Sequence, residues 1–469
     1  MMGFRRKIHF IGIGGISMSG IASILLDMGY QVSGSDLKDS PLLRELKKKG
    51  ARIYIGHDAA NLDHPDEVVV TAAIPPNNVE LQKARELGIP IIKRAQMIAR
   101  LMKYKKGIAI AGTHGKTTTT SMVSLILEKA GLDPTVLLGG ELNDIGGNAK
   151  LGQGEYLVTE ADESDGSFLY FEPLISIVTN IESDHMDYYE TEEKLKQAFS
   201  QFLEKVPAHG AKIVCWDDPV IRSLVNSQDR NLITYGTRDD CNIQIKRVKL
   251  LPQHTEVEVS LNGEDQGRLI LNVPGMHNVY NSMAALGVGY YLGLSFEQVA
   301  KYLNQFCGVH RRFEKKGLIN GVLVVDDYGH HPTEIKATLK AARQRGAKRI
   351  ICVFQPHRYT RTLHLKEEFS KSFSDADIII MTGIYSAGEK PIPGVDGYKL
   401  AQLTERYEKR PVKYFPCLEG IAEYLAELVQ PGDLVLTLGA GDVYLVGEKL
   451  LDILSNSNLS LKTGSDVGC

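Results

Sequence analysis

Short apolar runs, each closed by a glycine-rich or polar turn and followed by a helical stretch, recur along this chain and restrict its fold more than any other feature. Residues 8–34 read as a strand (Ile8 to Ile11), a glycine turn, a helix (Ile16 to Met28) and a second strand (Gln31 to Ser33). Parallel strands need a crossover, usually a helix, so this pattern is a βαβ unit. Val68 to Thr71, a helix near Val79 to Leu87 and Ile91-Ile92 continue it. After the basic run Lys103 to Lys106, a domain edge, a new unit starts with Ile108 to Ala111, a glycine turn and a helix from Lys116 to Ala130. Tyr156 to Thr159 and Ile175 to Thr179 are further short strands. A third block holds strands Val322 to Val325, Ile350 to Phe354, Ile378 to Thr382 and Leu434 to Leu438, with helices at Ala337 to Arg345 and Ile421 to Leu428. Between the second and third blocks, alternating apolar residues flank Asn262-Gly263, a hairpin signal, and predict an antiparallel flap.

The length of 469 residues accommodates about three domains at ~150 residues each. The expected boundaries are 1–105, 106–315 and 316–469, in an α/β chain of three domains. With 54 Lys+Arg against 57 Asp+Glu, a polyanion binder is disfavoured, because such proteins usually carry a basic excess; no nucleic-acid partner is expected. Cys215, Cys241, Cys307, Cys352, Cys417 and Cys469 form no C-x-x-C pair, which argues against a zinc ribbon or redox dithiol and for a reducing compartment. Arg5-Arg6-Lys7 before Ile8–Leu26 mimics a targeting segment, but His9 and several glycines interrupt it. No other stretch approaches the ~18 uninterrupted apolar residues of a membrane span, so a cytoplasmic protein without a membrane partner is expected.

The strongest chemical signal is Gly112-Thr113-His114-Gly115-Lys116-Thr117, set between a strand and a helix. Backbone N–H groups in such a loop point at phosphate oxygens and the helix start adds partial positive charge. Lys116 is expected at the terminal phosphates and Thr117 at Mg²⁺. Ile110 stands where the common phosphate-loop pattern begins with Gly; the alternative is a tight turn with an exposed lysine. Glu160-Ala161-Asp162-Glu163-Ser164-Asp165 follows a strand. Most of it reads as a solvated acidic turn, with Glu160 the one cation ligand. Asp184-His185-Met186-Asp187 also lies past a strand end, where open α/β sheets bind ligands. The N-terminal Gly12-Ile13-Gly14-Gly15 turn suggests a nucleotide pyrophosphate site, with Asp36 placed as a ribose-binding acid; NAD is the obvious rival ligand. In the third block, Asp326-Asp327-Tyr328-Gly329-His330-His331-Pro332 and Gln355-Pro356-His357-Arg358-Tyr359-Thr360-Arg361 each follow a strand. Arg358 and Arg361 are suited to clamp a carboxylate or phosphate; the alternative is a pair of surface loops with ion pairs.

Taken together, these strings resemble the Mur ligases, ATP-dependent amide-bond ligases of bacterial cell-wall synthesis. G-I-G-G-I-S-M-S-G at 12–20, G-T-H-G-K-T-T-T-T at 112–120, E-A-D-E-S-D at 160–165, D-H-M-D at 184–187, H-N-V-Y-N at 277–281, R-R-F at 311–313, D-D-Y-G-H-H-P at 326–332, P-H-R-Y-T-R at 356–361 and L-G-A-G-D at 438–442 occur in family order over nearly the whole chain. The resemblance implies a Rossmann-like UDP-binding domain, a central P-loop ATPase-like domain and a C-terminal Rossmann-like domain. It implies that Gly112, Thr113, His114, Gly115, Lys116, Thr117 and Thr118 bind ATP phosphates, that Thr117, Glu160 and His185 hold Mg²⁺, and that Asn278 and Asn281 contact adenine. Arg312 and Asp327 would close over the nucleotide. Gly12, Gly14, Gly15 and Asp36 would bind UDP, and His357, Arg358 and Arg361 would face the sugar acid and the amine.

The implied reaction joins L-alanine to the carboxylate of UDP-N-acetylmuramate through an acyl phosphate, with His330 as a candidate base for the amine. A monomer or weak homodimer is expected, and the third domain is expected to swing during the reaction. Sister ligases carry a carbamylated lysine about fifteen residues after the equivalent of His185; Ala198-Phe199-Ser200-Gln201 stands there, so none is expected. Ser17 replaces a glycine of the usual first turn. Rival readings are a recycling ligase that adds a preformed peptide to the same sugar acid, a non-catalytic UDP-sugar sensor and, from the first turn alone, an NAD oxidoreductase.

Overall fold

The computed structural model describes residues 6–463 except 72 and 143–146. The side chains of 140–142, 187 and 457–463, and hence that of Asp187, lie outside the description, as do Arg5 and Cys469. Two compact units result: one of residues to Val248 with 257–270 and 279–306, the other of 249–256, 271–278 and the remainder from Cys307.

The first unit contains two sheets. The first has β1 (Lys7–Ile11), β2 (Gln31–Asp36), β3 (Arg52–Ile55), β4 (Glu67–Val70) and β5 (Ile91–Lys93), in the order β3-β2-β1-β4-β5. All its pairs are parallel. Strand order reverses between β1 and β4, the place where such sheets open a ligand crevice, and the first glycine turn leaves β1 there. Helices α1 (Ile16–Asp27), α2 (Pro41–Lys48), α3 (Val79–Glu86) and α4 (Arg94–Met102) connect the strands. Burial of Ile8, Phe10 and Ile11 on β1 and Ile21, Ala22 and Leu25 on α1 supplies the apolar contact. One buried acid interrupts it: Glu80 accepts from His9 Nε2 (3.1 Å), Ser35 Oγ (2.7 Å), Asn61 Nδ2 (2.7 Å) and Asp58 N (3.1 Å). Those bonds replace the water it lost.

The second sheet has ten strands: β6 (Lys106–Ala111), β7 (Thr135–Leu142), β8 (Gly147–Lys150), β9 (Tyr156–Glu160), β10 (Ile175–Val178), β11 (Ala211–Cys215), β12 (Leu232–Gly236), β13 (Ile243–Leu250), β14 (Thr255–Leu261) and β15 (Glu264–Leu271). Their order is β15-β14-β13-β12-β11-β10-β6-β9-β7-β8. From β13 to β7 the pairing is parallel, and β7–β8 is antiparallel. Ile108, Ala109, Ile110 and Ala111 are all fully buried, as expected of a parallel strand covered on both faces. Helices α5 (Lys116–Lys129), α6 (Met186–Tyr189), α7 (Glu192–Glu204), α8 (Pro219–Leu224), α9 (Met276–Tyr291) and α10 (Phe296–Leu303) follow. Phe168 packs at 5.3 Å from Phe199 and 5.1 Å from Phe202 of α7, so the Ala198–Phe199 stretch belongs to the core. Asn262 and Gly263 both have positive φ (49° and 86°), the geometry of a two-residue type I′ hairpin. The expected flap is thus corrected in one respect: its strands extend the main sheet, because β13 pairs in parallel with β12.

The second unit is built on β16 (Glu314–Ile319), β17 (Val322–Asp327), β18 (Arg349–Phe354), β19 (Ile378–Thr382), β20 (Val412–Phe415) and β21 (Asp433–Leu438), in the order β16-β17-β21-β18-β19-β20. Only β16–β17 is antiparallel. Strand alternation divides the core: Ile350, Cys352 and Phe354 face one layer, Ile351 and Val353 the other. The helix expected at Ala337 begins earlier, as α11 (Pro332–Gln344). Pro332 at its first position fits the fixed φ of proline, and the Glu334 carboxylate accepts from His331 N (3.2 Å). Because β17, β21 and β18 are adjacent, the loops after Asp327, Phe354 and Leu438 emerge at one sheet edge. Cys215, Cys241, Cys352 and Cys417 carry free thiols. No helix among the described residues is long and apolar enough to cross a membrane.

Candidate active site

The first glycine turn is tied to β2. Gly12 N and Ile13 N both donate to Ser35 O, at 2.9 and 3.0 Å. Gly14 N donates to Asp36 Oδ2 at 2.8 Å, and Leu37 N to Asp36 Oδ1 at 2.7 Å. Asp36, expected to bind a ribose, therefore braces the turn with both carboxylate oxygens. A side chain at position 14 would strike it, since a Cβ there lies 2.9 Å from Oδ2. Gly15 caps α1 with no side-chain capping bond of its own, leaving first-turn N–H groups of that helix to a ligand or water. Ser17 lies within the first turn of α1, half-buried.

The second turn repeats the design with tighter constraints. Gly112 and Gly115 have φ of 130° and 84°. A Cβ on Gly112 would lie 2.1 Å from Thr179 Oγ1, and one on Gly115 2.4 Å from Asn281 Oδ1. Glycine is thus required by space and by backbone conformation. Asn180, just past β10, holds the loop: its O accepts from Thr113 N (3.0 Å) and its Oδ1 from His114 N (2.9 Å). Thr179 Oγ1 donates to His114 O at 2.6 Å. Asn281 also accepts from Thr119 Oγ1 (3.3 Å) on α5. Asn281, expected at adenine, thus lies against the loop and α5, almost fully buried. Thr118 lies in the first turn of α5, half-buried.

The acidic cluster is not a solvated turn, and each of its acids has its own partner. Glu160 Oε2 accepts from Thr117 Oγ1 (3.1 Å) and Oε1 from Gly139 N (2.6 Å). Asp162 pairs with Arg94 of α4 (3.2 Å), and it is held down to about 2; burial opposes this, but the charges of Lys116 and Arg94 and the Ser164 bonds win. Glu163 is buried and grips Lys116 Nζ with both oxygens at 2.9 Å. Burial alone would lower the lysine pKa; Glu163, Asp162 and Glu160 together hold it raised. Gly112 O (2.6 Å) and Thr113 O (3.3 Å) also accept from that ammonium. His185, at the left-handed start of α6 (φ 57°), brings Nε2 to 3.9 Å from Glu163 Oε1. Lys116, Glu163 and His185 therefore form one group, with Thr117 and Glu160 beside it. Glu163 and Asn180 were not singled out by sequence. Glu163 was hidden among the other acids of Glu160–Asp165, and Asn180 is distant in sequence from the loop it holds.

Thr117 Oγ1 and Glu160 Oε2 fit a divalent cation. Adjacent ligands on an octahedral ion with ~2.1 Å bonds lie about 3 Å apart, close to their observed spacing, and both donors are oxygen, which Mg²⁺ prefers.

In the second unit, Asn278 Nδ2 donates to Pro274 O at 2.7 Å. Asp327 accepts from Phe313 N and Gly329 N, both at 2.7 Å, which fixes the Arg311–Phe313 segment against β17. Burial pushes Asp327 up to about 6, with Arg312 opposing. Both arginines lie over the Tyr328 ring but divide their ion pairs: Arg311 pairs with Asp326 (2.9 Å) and donates to Gly439 O (2.7 Å), whereas Arg312 lies 3.7 Å from Glu334. His330, His357 and Arg361 come together. The two rings are 5.6 Å apart, Arg361 Nη1 donates to His357 Nδ1 (3.2 Å), and His357 stacks on Tyr385. Arg358 turns to Glu389 at 3.6 Å. Burial takes His330 down to about 4, with Glu334 opposing and Arg361 adding to it, and takes His357 to about 3, reinforced by His330 and the two arginines Arg361 and Arg358, so both are neutral near pH 7. Their tautomers differ. Tyr328 O accepts from His330 Nδ1–H (3.0 Å), leaving Nε2 as an acceptor; Arg361 occupies the Nδ1 lone pair of His357, leaving Nε2–H as a donor.

Comparison with known proteins gives three family matches in chain order. They are the Mur ligase family catalytic domain over residues 7–106, the Mur ligase middle domain over 110–289, and the Mur ligase glutamate ligase domain over 311–441. The chain is 51% identical over 454 residues to the UDP-N-acetylmuramate–L-alanine ligase of Pelotomaculum thermopropionicum, covering 97% of this chain and 98% of that one. It is 51% identical to the ligase of the same name from Desulforamulus reducens, covering 96% and 98%. Among solved structures, a UDP-N-acetylmuramate-alanine ligase from Thermotoga maritima superposes with a TM-score of 0.83 at 30% identity, covering 96% of this chain and 99% of that one. A murein peptide ligase from Psychrobacter arcticus superposes with a TM-score of 0.70 at 25% identity, covering 96% and 99%.

Proposed function

The chain belongs to the Mur ligase family of ATP-dependent ligases, and from that premise we propose that it joins L-alanine to the carboxylate of UDP-N-acetylmuramate in cytoplasmic peptidoglycan synthesis. The observation that carries this reading is likeness to alanine ligases over nearly the whole chain, in a chain whose second glycine turn brings Lys116 and Thr117 against Glu160 at the end of β9.

A carboxylate is a poor acyl donor because oxide is a hopeless leaving group. Transfer of the ATP γ-phosphoryl to the sugar acid gives an acyl phosphate, whose phosphate can leave when the alanine amine attacks. Such catalysis is mainly positioning and charge neutralisation. The N–H groups at Gly112–Thr118 bind phosphate, and Lys116 exchanges Glu163 for the phosphoryl oxygens. Thr117 and Glu160 would hold Mg²⁺, with His185 beside them; the cation would neutralise charge on the transferring group. The first glycine turn binds the UDP pyrophosphate at the start of α1.

The opposed tautomers in the second unit suit an amino acid. His357 Nε2–H and Arg361 donate to a carboxylate, while His330 Nε2 accepts from an amine. His330, at about 4, is a weak base toward the ammonium of a free amino acid, which its own adjacent carboxylate holds above the ~8 of a peptide's α-amino group. The gap of more than four units makes full proton transfer uphill by more than ~5 kcal/mol. His330 therefore orients the amine, and its earlier role as general base is set aside.

The test uses sugar acid labelled with ¹⁸O in its carboxylate. Label should appear in the released phosphate; unlabelled phosphate would refute the acyl phosphate. Free L-alanine should outcompete a tripeptide, and the reverse preference would assign the chain to the peptide-adding branch.

A further inference from the structure

Strand β7 touches both glycine-turn sites of the first unit within three residues. Gly139 N donates to Glu160 Oε1, and a Cβ on Gly139 would lie 2.9 Å from the Glu160 carboxylate. Two residues earlier, Leu137 lies against α1: a Cβ on Gly20 would meet Leu137 Cδ2 at 3.4 Å and Ala149 Cβ of β8 at 3.1 Å. The glycine thus lets α1 sit directly on the β7–β8 pair. Beside this contact, Asn148 of β8 is almost fully buried. Its Nδ2 donates to Ile16 O and, at 3.1 Å, to Ser19 Oγ. Ser19 Oγ in turn donates to Ile16 O at 2.8 Å. Ile16 is the first residue after Gly15, so these bonds hold the helix turn on which the first glycine turn ends.

We propose that Asn148 is a positioning residue for the first glycine turn, through which β7–β8 links phosphate and cation binding at Thr117–Glu160 to UDP-sugar binding at Gly12–Gly15. The link rests on the ligand assignments made above for the two turns. A cation drawn onto Glu160 changes the carboxylate that orients Gly139, and β7 carries that change to the seat of α1. Linkage then requires the effect to be reciprocal: each ligand tightens the other by the same factor.

The experiment is calorimetric titration of UDP-N-acetylmuramate with and without a non-hydrolysable ATP analogue and Mg²⁺. In the unmodified protein, each ligand should tighten the other about tenfold. Asn148→Ala should weaken the UDP-sugar alone severalfold, leave analogue binding alone unchanged, and bring the coupling factor close to one. Ser19→Ala removes the other half of the contact from the first sheet's side and should move the same two quantities in the same direction. A coupling factor that survives both substitutions overturns the proposal, as does unchanged UDP-sugar affinity in Asn148→Ala. Failure of the unmodified protein to bind the UDP-sugar would overturn the ligand assignments as well, and is thereby distinguished from failure of the link alone.

Discussion

Lys116 shows how far a contiguous motif can be read and where reading stops. Its place in the loop is apparent because strand, glycines, lysine and helix are consecutive in the chain. Its partner was not, since nothing in the four acids of Glu160–Asp165 says which carboxylate turns inward. Lys116→Ala should lower kcat by at least 100-fold while leaving UDP-sugar affinity unchanged, measurable by phosphate release and calorimetry. Glu163→Gln leaves a buried ammonium with less counter-charge and should destabilise the first unit by roughly 2–4 kcal/mol in denaturant titration. Because a nucleotide supplies the missing anion, the ATP analogue with Mg²⁺ should stabilise that variant more than the unmodified protein. The paired histidines set a pH dependence. His330 and His357 lie at about 4 and 3 when folded and near 6.5 when unfolded, so below 6.5 the unfolded chain takes up protons that the folded unit refuses. Stability of the second unit should therefore fall as pH drops from 6.5 through 4. Asp327, raised to about 6, acts in the opposite sense between 6 and 3.8. Asp327→Asn should thus steepen the loss, read as denaturant midpoints at pH 7 and 5.

At the scale of elements, two glycines with nearly the same φ separate conformation from space. Gly263 (φ 86°) turns the β14–β15 hairpin with no atom within 4 Å of an added Cβ, whereas Gly115 (φ 84°) has Asn281 Oδ1 at 2.4 Å. Gly263→Ala should cost about 1 kcal/mol through backbone conformation and leave ligation intact. Gly115→Ala should in addition push the loop off Asn281 and abolish binding of the ATP analogue by calorimetry. Most strands with continuous apolar runs were legible because both their faces are covered. β3, β7, β8, β11, β12, β16 and β20 were missed: β3, β8 and β20 have four residues each, and β16 opens on Glu314-Lys315-Lys316, which reads equally well as loop. The flap was legible as a hairpin from Asn262-Gly263, but its pairing with β12 was not, since a local turn says nothing about which edge a strand joins.

For the whole molecule, the three alternating blocks correspond to three sheets but to two compact units. Periodicity reports each sheet; it is blind to the seating of α1 on β7–β8 and the Arg94–Asp162 pair, which merge the first two. The residues proposed for ATP phosphates and UDP lie in the first unit, and those proposed for the amino acid in the second. Calorimetry should then show the ATP analogue raising the transition of the first unit, by about 2.7 kcal/mol at a hundred times its Kd, with little effect on the other.

The grip of Glu163 on Lys116 carries a last consequence. An anion arriving at that ammonium does not fill an uncompensated charge; it must win a contest against an acid already seated there. A singly charged visitor such as chloride or acetate offers no better bargain than the incumbent, whereas a polyphosphate escorted by a metal brings several contacts at once. Discrimination against the common salts of a cell is thereby built into the pairing of Lys116 with Glu163.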